Sequence, residues 1–374
     1  MEKKLGKPRI LVAPLDWGLG HATRCIPIIR ELLAQGYEVW LAGEGAQEEL
    51  LKTEFPDLSF LHLTGYRIKY AKTARGLIWQ MIKQTSKLKR AIKAENQWLK
   101  KVSDEYHFDA VISDNRFGLY HSSIPCIIIT HQLLIKSPFG KWTEKILQKR
   151  NYNYINRFSE CWVPDLPAGQ TGIESEENLA ADLSHPDIKP KIPVRYIGWL
   201  SRFSKQELTV KNKHLLIILS GPEPQRSMLE EIAIEETSRY TGTATIVRGL
   251  PGSSALIPSS GMIKFYNHLA TEELNKEMQQ AEFVISRSGY STVMDLMVLQ
   301  KQSILIPTPG QTEQEYLAKI LFEKNISCTV TQKNFNLNRA LQKAKAFPYQ
   351  LTGQPANSLL SQIISNFISS IKGE

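Results

Sequence analysis

Residues 283–318 read FVISRSGYSTVMDLMVLQKQSILIPTPGQTEQEYLA, and the order of elements in this stretch decides the fold. Phe283–Ser286 is a short apolar run of strand type, closed by the polar turn Arg287-Ser288-Gly289. Thr292–Leu299 keeps a helical spacing. Ser303–Pro307 is a second strand run that ends in Pro307-Thr308-Pro309-Gly310, and Glu313–Glu323 is helical again. Strands alternating with helices mean a parallel sheet with helices on both faces.

The same alternation extends outward. Strand runs are expected at His214–Leu219, Ala244–Arg248 and Met262–Tyr266, with helices at Gln225–Ser238 and Thr271–Gln280. This α/β unit starts near residue 205, after Tyr196–Phe203 (YIGWLSRF) and the polar Lys205–Lys213. A first unit precedes it. Arg9–Pro14 is a strand, Asp16–Gly20 a glycine-rich turn, and His21–Ala34 a helix capped near Gly36. Further strands are expected at Tyr37–Ala42, Ser59–Leu63, Ala110–Ser113, Ile124–Thr130 and Cys161–Val163. Residues 164–193, rich in Pro, Gly, Asp and Ser, read as irregular connection. A length of 374 residues suits two domains. The expected division is 1–204, 205–357 and a final segment 358–374. In that segment Ser358–Ile371 is an amphipathic helix that packs back toward the first domain. The architecture expected is α/β: two Rossmann-like, doubly wound domains facing across a cleft. Such sheets bind ligands just beyond the carboxyl ends of their strands.

Three turns stand at such ends. Gly18-Leu19-Gly20-His21 follows a strand and opens a helix. Thr23 replaces the third glycine of a dinucleotide fingerprint, and no GK[ST] of a P-loop is present. The turn reads either as a tight structural turn with a solvated histidine or as a site. In the second case His21, in the first helical turn, projects into the cleft, and the helix dipole keeps it neutral, as a general base requires. Ser220-Gly221-Pro222 is a structural turn or a phosphate site made of amides and a hydroxyl. The Ser288-Gly289 turn, Asp295 one turn into its helix, and the polar Gln311–Glu315 together suit a ribose and a sugar.

Composition narrows the partners. Of all residues, 42% are hydrophobic and 22% charged, which excludes disorder as the main state. The net charge is +9, and it is localised: residues 67–101 carry eleven Lys or Arg against one acid, Glu95. The remainder of the chain is close to neutral. From Leu77 to Leu99 this segment is helical in pattern, with Ile78, Met81, Ile82, Thr85, Leu88 and Ile92 on one arc and Lys83, Lys87 and Arg90 opposite. Three readings stand: a solvated helix packed on its own domain, a basic amphipathic surface for anionic lipid, or a nucleic-acid face. The last lacks a recognised motif, so no nucleic-acid partner is expected. Lys136–Arg150, with Phe139 and Trp142, forms a second basic, aromatic patch. The four cysteines are far apart with no CxxC pair, and Cys25 and Cys126 read as small core residues. No run approaches a spanning helix, and the first apolar run is too short for a signal-peptide core. A cytoplasmic location is expected, peripheral on the inner face of the membrane if the basic segment binds lipid.

The pattern SRSG-x-S/T-x-x-x-D/E, then a strand, then PxPG-x-T-E-Q, resembles the donor-site segment of GT-B glycosyltransferases. The nearest group is family 28, typified by the peptidoglycan lipid-intermediate N-acetylglucosaminyltransferase. The glycine turn ending in His21, YIGWLSRF and the SGP turn at residue 220 fall where that family has its counterparts. The resemblance implies an inverting transfer from a nucleotide-diphosphate sugar, expected to be a UDP-sugar, to an acceptor hydroxyl, a lipid-linked one included. It implies that Asp295 takes the ribose hydroxyls, that Gln314 with Glu313 reads the donor sugar, and that Phe265 and Tyr266 border the base. Ser220, Gly221 and the Arg287-Ser288-Gly289 turn would bind the diphosphate, and Gly18 and Gly20 would border the donor. His21 would be the base. Asp114 and His131, each after an expected strand on the acceptor side, are the other candidates, or else make ordinary structural hydrogen bonds. The leaving diphosphate would be met by helix ends and amides, with no metal and no cofactor beyond the nucleotide-sugar; no DxD, HExxH or Cys/His cluster occurs in the sequence. GLGHATRC also resembles the turn of the pseudaminic-pathway UDP-sugar hydrolase. A hydrolase, an epimerase and a non-enzymatic nucleotide-sugar-binding protein therefore remain alternatives.

Overall fold

A computed structural model describes residues 7–67, 85–167, 178–351 and 357–372. Two all-parallel sheets organise the chain. The first has seven strands in the order β3-β2-β1-β4-β5-β6-β7: β1 Arg9–Pro14, β2 Glu38–Gly43, β3 Ser59–His62, β4 Ala110–Asp114, β5 Cys126–Ile129, β6 Glu160–Val163 and β7 Val194–Tyr196. The second has six in the order β10-β9-β8-β11-β12-β13: β8 His214–Ile218, β9 Thr243–Val247, β10 Ile263–Tyr266, β11 Phe283–Ser286, β12 Ser303–Leu305 and β13 Cys328–Thr329. In both, the order reverses beside the first strand, between β1 and β4 and between β8 and β11. These reversals are the points at which helices leave on opposite faces and a crevice opens.

The central strands are buried along their length because helices cover both faces. α1 (Leu19–Ala34) buries Ala22, Cys25, Ile26, Ile29 and Leu32 against the first sheet. Its entry needs Gly18, whose φ of +79° a residue with a Cβ adopts only at a cost. α2 (Ala46–Glu54) follows β2. α3 (Thr85–Tyr106) and α4 (Lys141–Ile155) flank β4 and β5 in the chain. In the second domain α5 (Gln225–Ser238), α6 (Thr271–Gln280), α7 (Tyr290–Val298), α8 (Thr312–Glu323) and α9 (Leu337–Lys345) connect or follow the strands. The final helix α10 (Asn357–Lys372) crosses back to the first domain. Leu360, Ile364 and Phe367 join the core around α1, the Gln35 amide donates to the Ser361 carbonyl at 3.0 Å, and the Phe367 ring meets Trp162 edge-on at 5.6 Å.

Five of the strands and α-helices depart from the sequence reading, among them α4, whose residues were read only as a basic, aromatic patch. Val194–Tyr196, read as part of a boundary, is the seventh strand of the first sheet. β13, α2 and α9 were not expected at all. Strands of two or three residues show no period to read. The cysteines follow expectation: Cys25, Cys126, Cys161 and Cys328 are all buried free thiols.

A candidate active site at two facing switch points

The first switch point gathers polar side chains from three strand ends. His21 is in the first turn of α1 after β1, Asp114 ends β4, and His131 follows β5. His21 Nδ1 lies 3.2 Å from Asp114 Oδ2. Arg24, one turn further along α1, donates from Nε to Asp114 Oδ2 at 2.7 Å and from Nη2 to Asp114 Oδ1. Its Nη2 also stands 3.0 Å from His21 Nδ1, and its Nη1 3.4 Å from His131 Nδ1. The Cys25 thiol points at Asp114 Oδ2 from 3.8 Å. Arg24, Asp114 and His131 are buried, whereas His21 keeps an open edge.

Burial lowers the affinity of His21 for a proton. Asp114 works against that, while Arg24 and His131 add to it, and the net shift is downward. Burial alone would raise the Asp114 carboxyl, but the Arg24 guanidinium and then His21 outweigh it and hold it at about 2. Near neutral pH the site therefore contains a carboxylate, a guanidinium and an uncharged imidazole.

The second switch point meets the first directly. The Ser291 hydroxyl, in the first turn of α7, donates to the Gly20 carbonyl at 2.8 Å. A Cβ on Gly20 would lie 3.2 Å from that hydroxyl, so glycine lets the two turns approach. His131 is held from the second domain on two sides. Its ring stacks on Tyr290 at 4.2 Å, and its Nε2 reaches Glu313 Oε1 at 2.7 Å; the Gln132 amide donates to the other Glu313 oxygen. Burial would raise the Glu313 carboxyl, but His131, Arg24 and His21 bring it below its usual value.

The remaining expected donor residues fall into distinct groups. Gly18, Gly221 and Gly289 border open space: a Cβ on any of them would meet nothing within 4 Å. Ser220 lies in the same turn as Gly221, ahead of α5; the Glu223 carboxylate accepts from the Ser227 amide in the first turn of α5 at 3.2 Å, whereas no side chain caps the first amides of α7. Ser288 is buried and donates to the Gln314 carbonyl at 2.8 Å. Gln314 is buried too, with its side-chain oxygen accepting from the Thr308 amide at 2.9 Å. Arg287 faces inward, donating to the Gln225 carbonyl at 2.8 Å and to the Ile306 and Pro307 carbonyls at 3.3 Å, and burial lowers it to about 10. These three brace the turns. Asp295 is half-buried and accepts from the Ser201 hydroxyl at 2.6 Å. Burial pushes its carboxyl up to about 7 against the opposing effects of Arg202 and Ser201. Phe265 and Tyr266 lie on the outermost strand β10, Phe265 half-buried and Tyr266 exposed.

The second domain decides the class. Residues 263–366 match the glycosyltransferase family 28 C-terminal domain. The protein is a glycosyltransferase, and the family 28 match lies in its second domain. An uncharacterized glycosyltransferase of Methanosarcina mazei is 22% identical over 347 residues, covering 84% of each chain. The UDP-N-acetylglucosamine--N-acetylmuramyl-(pentapeptide) pyrophosphoryl-undecaprenol N-acetylglucosamine transferase of Haemophilus ducreyi is 22% identical over 339 residues, 86% of this chain and 85% of that one. Among solved structures, the glycosyltransferase SnogD from Streptomyces nogalater superposes with a TM-score of 0.60 at 11% identity, over 98% of this chain and all of that one. The fold of this glycosyltransferase is thus GT-B.

Four side chains at the site of this glycosyltransferase were absent from the sequence reading of function: Arg24, Gln132, Tyr290 and Ser201. Arg24 had a signal, since it lies three residues after His21 and so on the same helix face.

The surfaces of the enzyme are equally specific. α3 turns Ile92, Leu99 and Val102 inward and exposes Lys87, Lys89, Arg90, Lys93, Lys100 and Lys101. The rest of the expected arc, Ile78 to Lys83, lies outside the described residues. Phe139, Trp142 and Ile146 are exposed by 66%, 73% and 49%, with Lys141, Lys145 and Lys149 exposed or half-exposed among them. This patch adjoins the mouth of the site, because the Thr312 hydroxyl donates to the Lys136 carbonyl at 3.1 Å and Lys136 Nζ lies over the Tyr316 ring. Among the described residues no helix is long and apolar enough to cross a membrane.

Proposed function

We propose that this glycosyltransferase moves a sugar, with inversion and without a metal, from a nucleoside-diphosphate sugar to an acceptor hydroxyl. UDP is the favoured nucleotide, on the strength of the Haemophilus ducreyi relative named for UDP-N-acetylglucosamine. One observation carries the reading. A histidine backed by a carboxylate stands at one switch point, and an uncapped helix start faces it from the other.

In this reading the acceptor O–H gives its proton to His21 Nε2 as the oxygen attacks the anomeric carbon. The bond from that carbon to the β-phosphate oxygen breaks, and the nucleoside diphosphate leaves with the electron pair. The amides around Ser220-Gly221 and Ser288-Gly289, at the starts of α5 and α7, take up the charge of the leaving group. Asp114 orients His21 by accepting from Nδ1–H. His131 stands behind it through Arg24, and Glu313 faces the donor sugar, with Gln314 bracing the loop beside it. Asp295 accepts the ribose hydroxyls, with Phe265 and Tyr266 beside the base.

The test of donor binding uses the pH dependence of Asp295. A carboxyl held near 7 in the free protein accepts hydroxyls best once ionised. Calorimetry with UDP should therefore show tighter binding as the pH rises from 6 to 8. Asp295→Asn should weaken binding about tenfold or more and flatten this dependence. Equal affinity in wild type and variant across that range would remove Asp295 from the donor site.

The acceptor is proposed to lie at an anionic membrane surface, reached through the Phe139–Ile146 patch and the basic face of α3. Phe139→Ser with Trp142→Ser should cut sedimentation with phosphatidylglycerol vesicles at least tenfold. High salt should weaken whatever binding remains. Undiminished sedimentation of the double variant would exclude the patch.

A further inference from the structure

We propose that Arg24 is a positioning residue for the transfer: its guanidinium takes up both oxygens of Asp114 and stands against His21, so that the imidazole stays uncharged until an acceptor arrives. The inference rests on the reading of His21 as the base.

The physical reason lies in what guanidinium can and cannot do. It donates only, and it does not deprotonate in a protein. Asp114 meets Arg24 through Nε at 2.7 Å and through Nη2, a bidentate arrangement in which both carboxylate oxygens accept from the guanidinium. An aspartate beside a histidine normally stabilises the imidazolium. Here the same carboxylate is already matched, and the cation that matches it lies 3.0 Å from His21 Nδ1. A proton arriving at Nε2 would create a second positive charge at that distance.

The other groups around His21 do not substitute for Arg24. From α1, Cys25 is a thiol kept protonated by burial and then by Asp114. From the loop after β5, His131 is turned toward Glu313 and Tyr290. From α8, Glu313 is engaged by His131 and Gln132. From α7, the Tyr290 phenol donates to the Pro164 carbonyl at 2.8 Å, and Ser291 to the Gly20 carbonyl. Arg24 is thus the one fixed cation among the described groups that touch His21, and it extends the same matching to His131 through Nη1.

This arrangement serves a base that has to let go. A histidine paired with a bare carboxylate holds the proton it receives. Next to Arg24 the imidazolium is destabilised, and the proton passes to solvent once the nucleoside diphosphate has left. No co-reactant is required, because the proton comes from the acceptor hydroxyl.

The direct test is an NMR titration of the His21 ring in protein labelled with 15N and 13C histidine, which reads protonation without any turnover. Arg24→Met should move the His21 midpoint up by about one pH unit or more, and Arg24→Lys, which keeps a cation, should move it less. The acid limb of kcat/KM should follow by the same amount. Arg24→Met strands a buried carboxylate and can fail to fold. The comparison is therefore repeated between Asp114→Asn, which leaves the guanidinium without its carboxylate, and Asp114→Asn with Arg24→Met, which carries neither charge, and the second should again titrate higher. An unchanged His21 midpoint in both comparisons overturns the proposal. Should His21 titrate as described while no donor sugar is ever transferred, the role of Arg24 stands and the assignment of His21 as a transfer base falls.

Discussion

Replacing His21 with alanine is expected to lower kcat about 10²- to 10⁴-fold while leaving the Kd for the donor nucleotide within about twofold. The size follows from the role. A general base in the transition state contributes a factor of this order, and alanine removes the acceptor atom without placing anything new in the site. The selectivity follows from the geometry. His21 is in the first turn of α1 on the first domain, whereas the turns at Ser220 and Ser288 and the Asp295 carboxylate belong to the second. Nothing that is proposed to hold the nucleotide is bonded to the His21 ring. The fold should survive, because the His21 ring keeps an open edge and Arg24 remains to match Asp114. Steady-state kinetics with calorimetry of UDP check both halves. A variant that keeps more than about a tenth of wild-type kcat would show that His21 is not the base, and Asp114 or His131 would have to be tested in its place.

The second large effect concerns stability. Glu95 is the single acid of the basic stretch 67–101, and it does not neutralise that surface. It points inward. Arg116 donates to Glu95 Oε1 at 2.5 Å, while the Tyr66 hydroxyl and the Gly118 amide donate to Oε2 at 2.7 and 2.8 Å. The remaining donors of Arg116 reach the Thr64 carbonyl at 2.7 Å and the Pro14 carbonyl at 3.1 Å. Both partners are buried, and a Cβ at Gly118 would collide with Glu95 and with the Ile92 carbonyl. Removal of one partner leaves an uncompensated buried charge. Glu95→Ala should therefore cost about 3–5 kcal/mol. Lys93→Ala, two residues away on the exposed face of α3, should stay within about 0.5 kcal/mol. Urea denaturation followed by tryptophan fluorescence measures both. A loss below about 1 kcal/mol for Glu95→Ala, the scale of a surface pair, would contradict this account of the α3 anchor.

The alternation of strands and helices was more legible in the sequence than the site. Strands of four to six residues, each closed by a polar turn, set out the alternation that makes both sheets parallel. A rule about strand ends then led to His21, Asp114 and His131, which the structure brings together across residues 93 and 110 positions apart. Side-chain direction was not legible. Gln314 and Ser288 have the composition of a ligand turn, yet they bond to the neighbouring loop, because a residue in a first helical turn faces whatever the preceding strand end presents. Arg24 read as an ordinary helix arginine until Asp114, ninety positions away in sequence, lay against it. The short strands β7 and β13 exist because a neighbour offers them a free edge, which no local pattern reports. The basic segment was legible as a charge and ambiguous as a surface; α3 shows its apolar side packed inward, and among the described residues of the first domain Phe139, Trp142 and Ile146 form an exposed apolar patch.

The central claim is transfer of a sugar from a nucleoside diphosphate to an acceptor hydroxyl. Its most direct measurement is the release of nucleoside diphosphate from a panel of radiolabelled nucleotide-sugars, in the presence of EDTA, with and without a lipid extract as acceptor. The account predicts release that depends on the lipid, proceeds undiminished in EDTA, and matches the amount of label appearing in the organic phase. Release at full rate into water without acceptor, or tight nucleotide binding with no release on any acceptor, would contradict it.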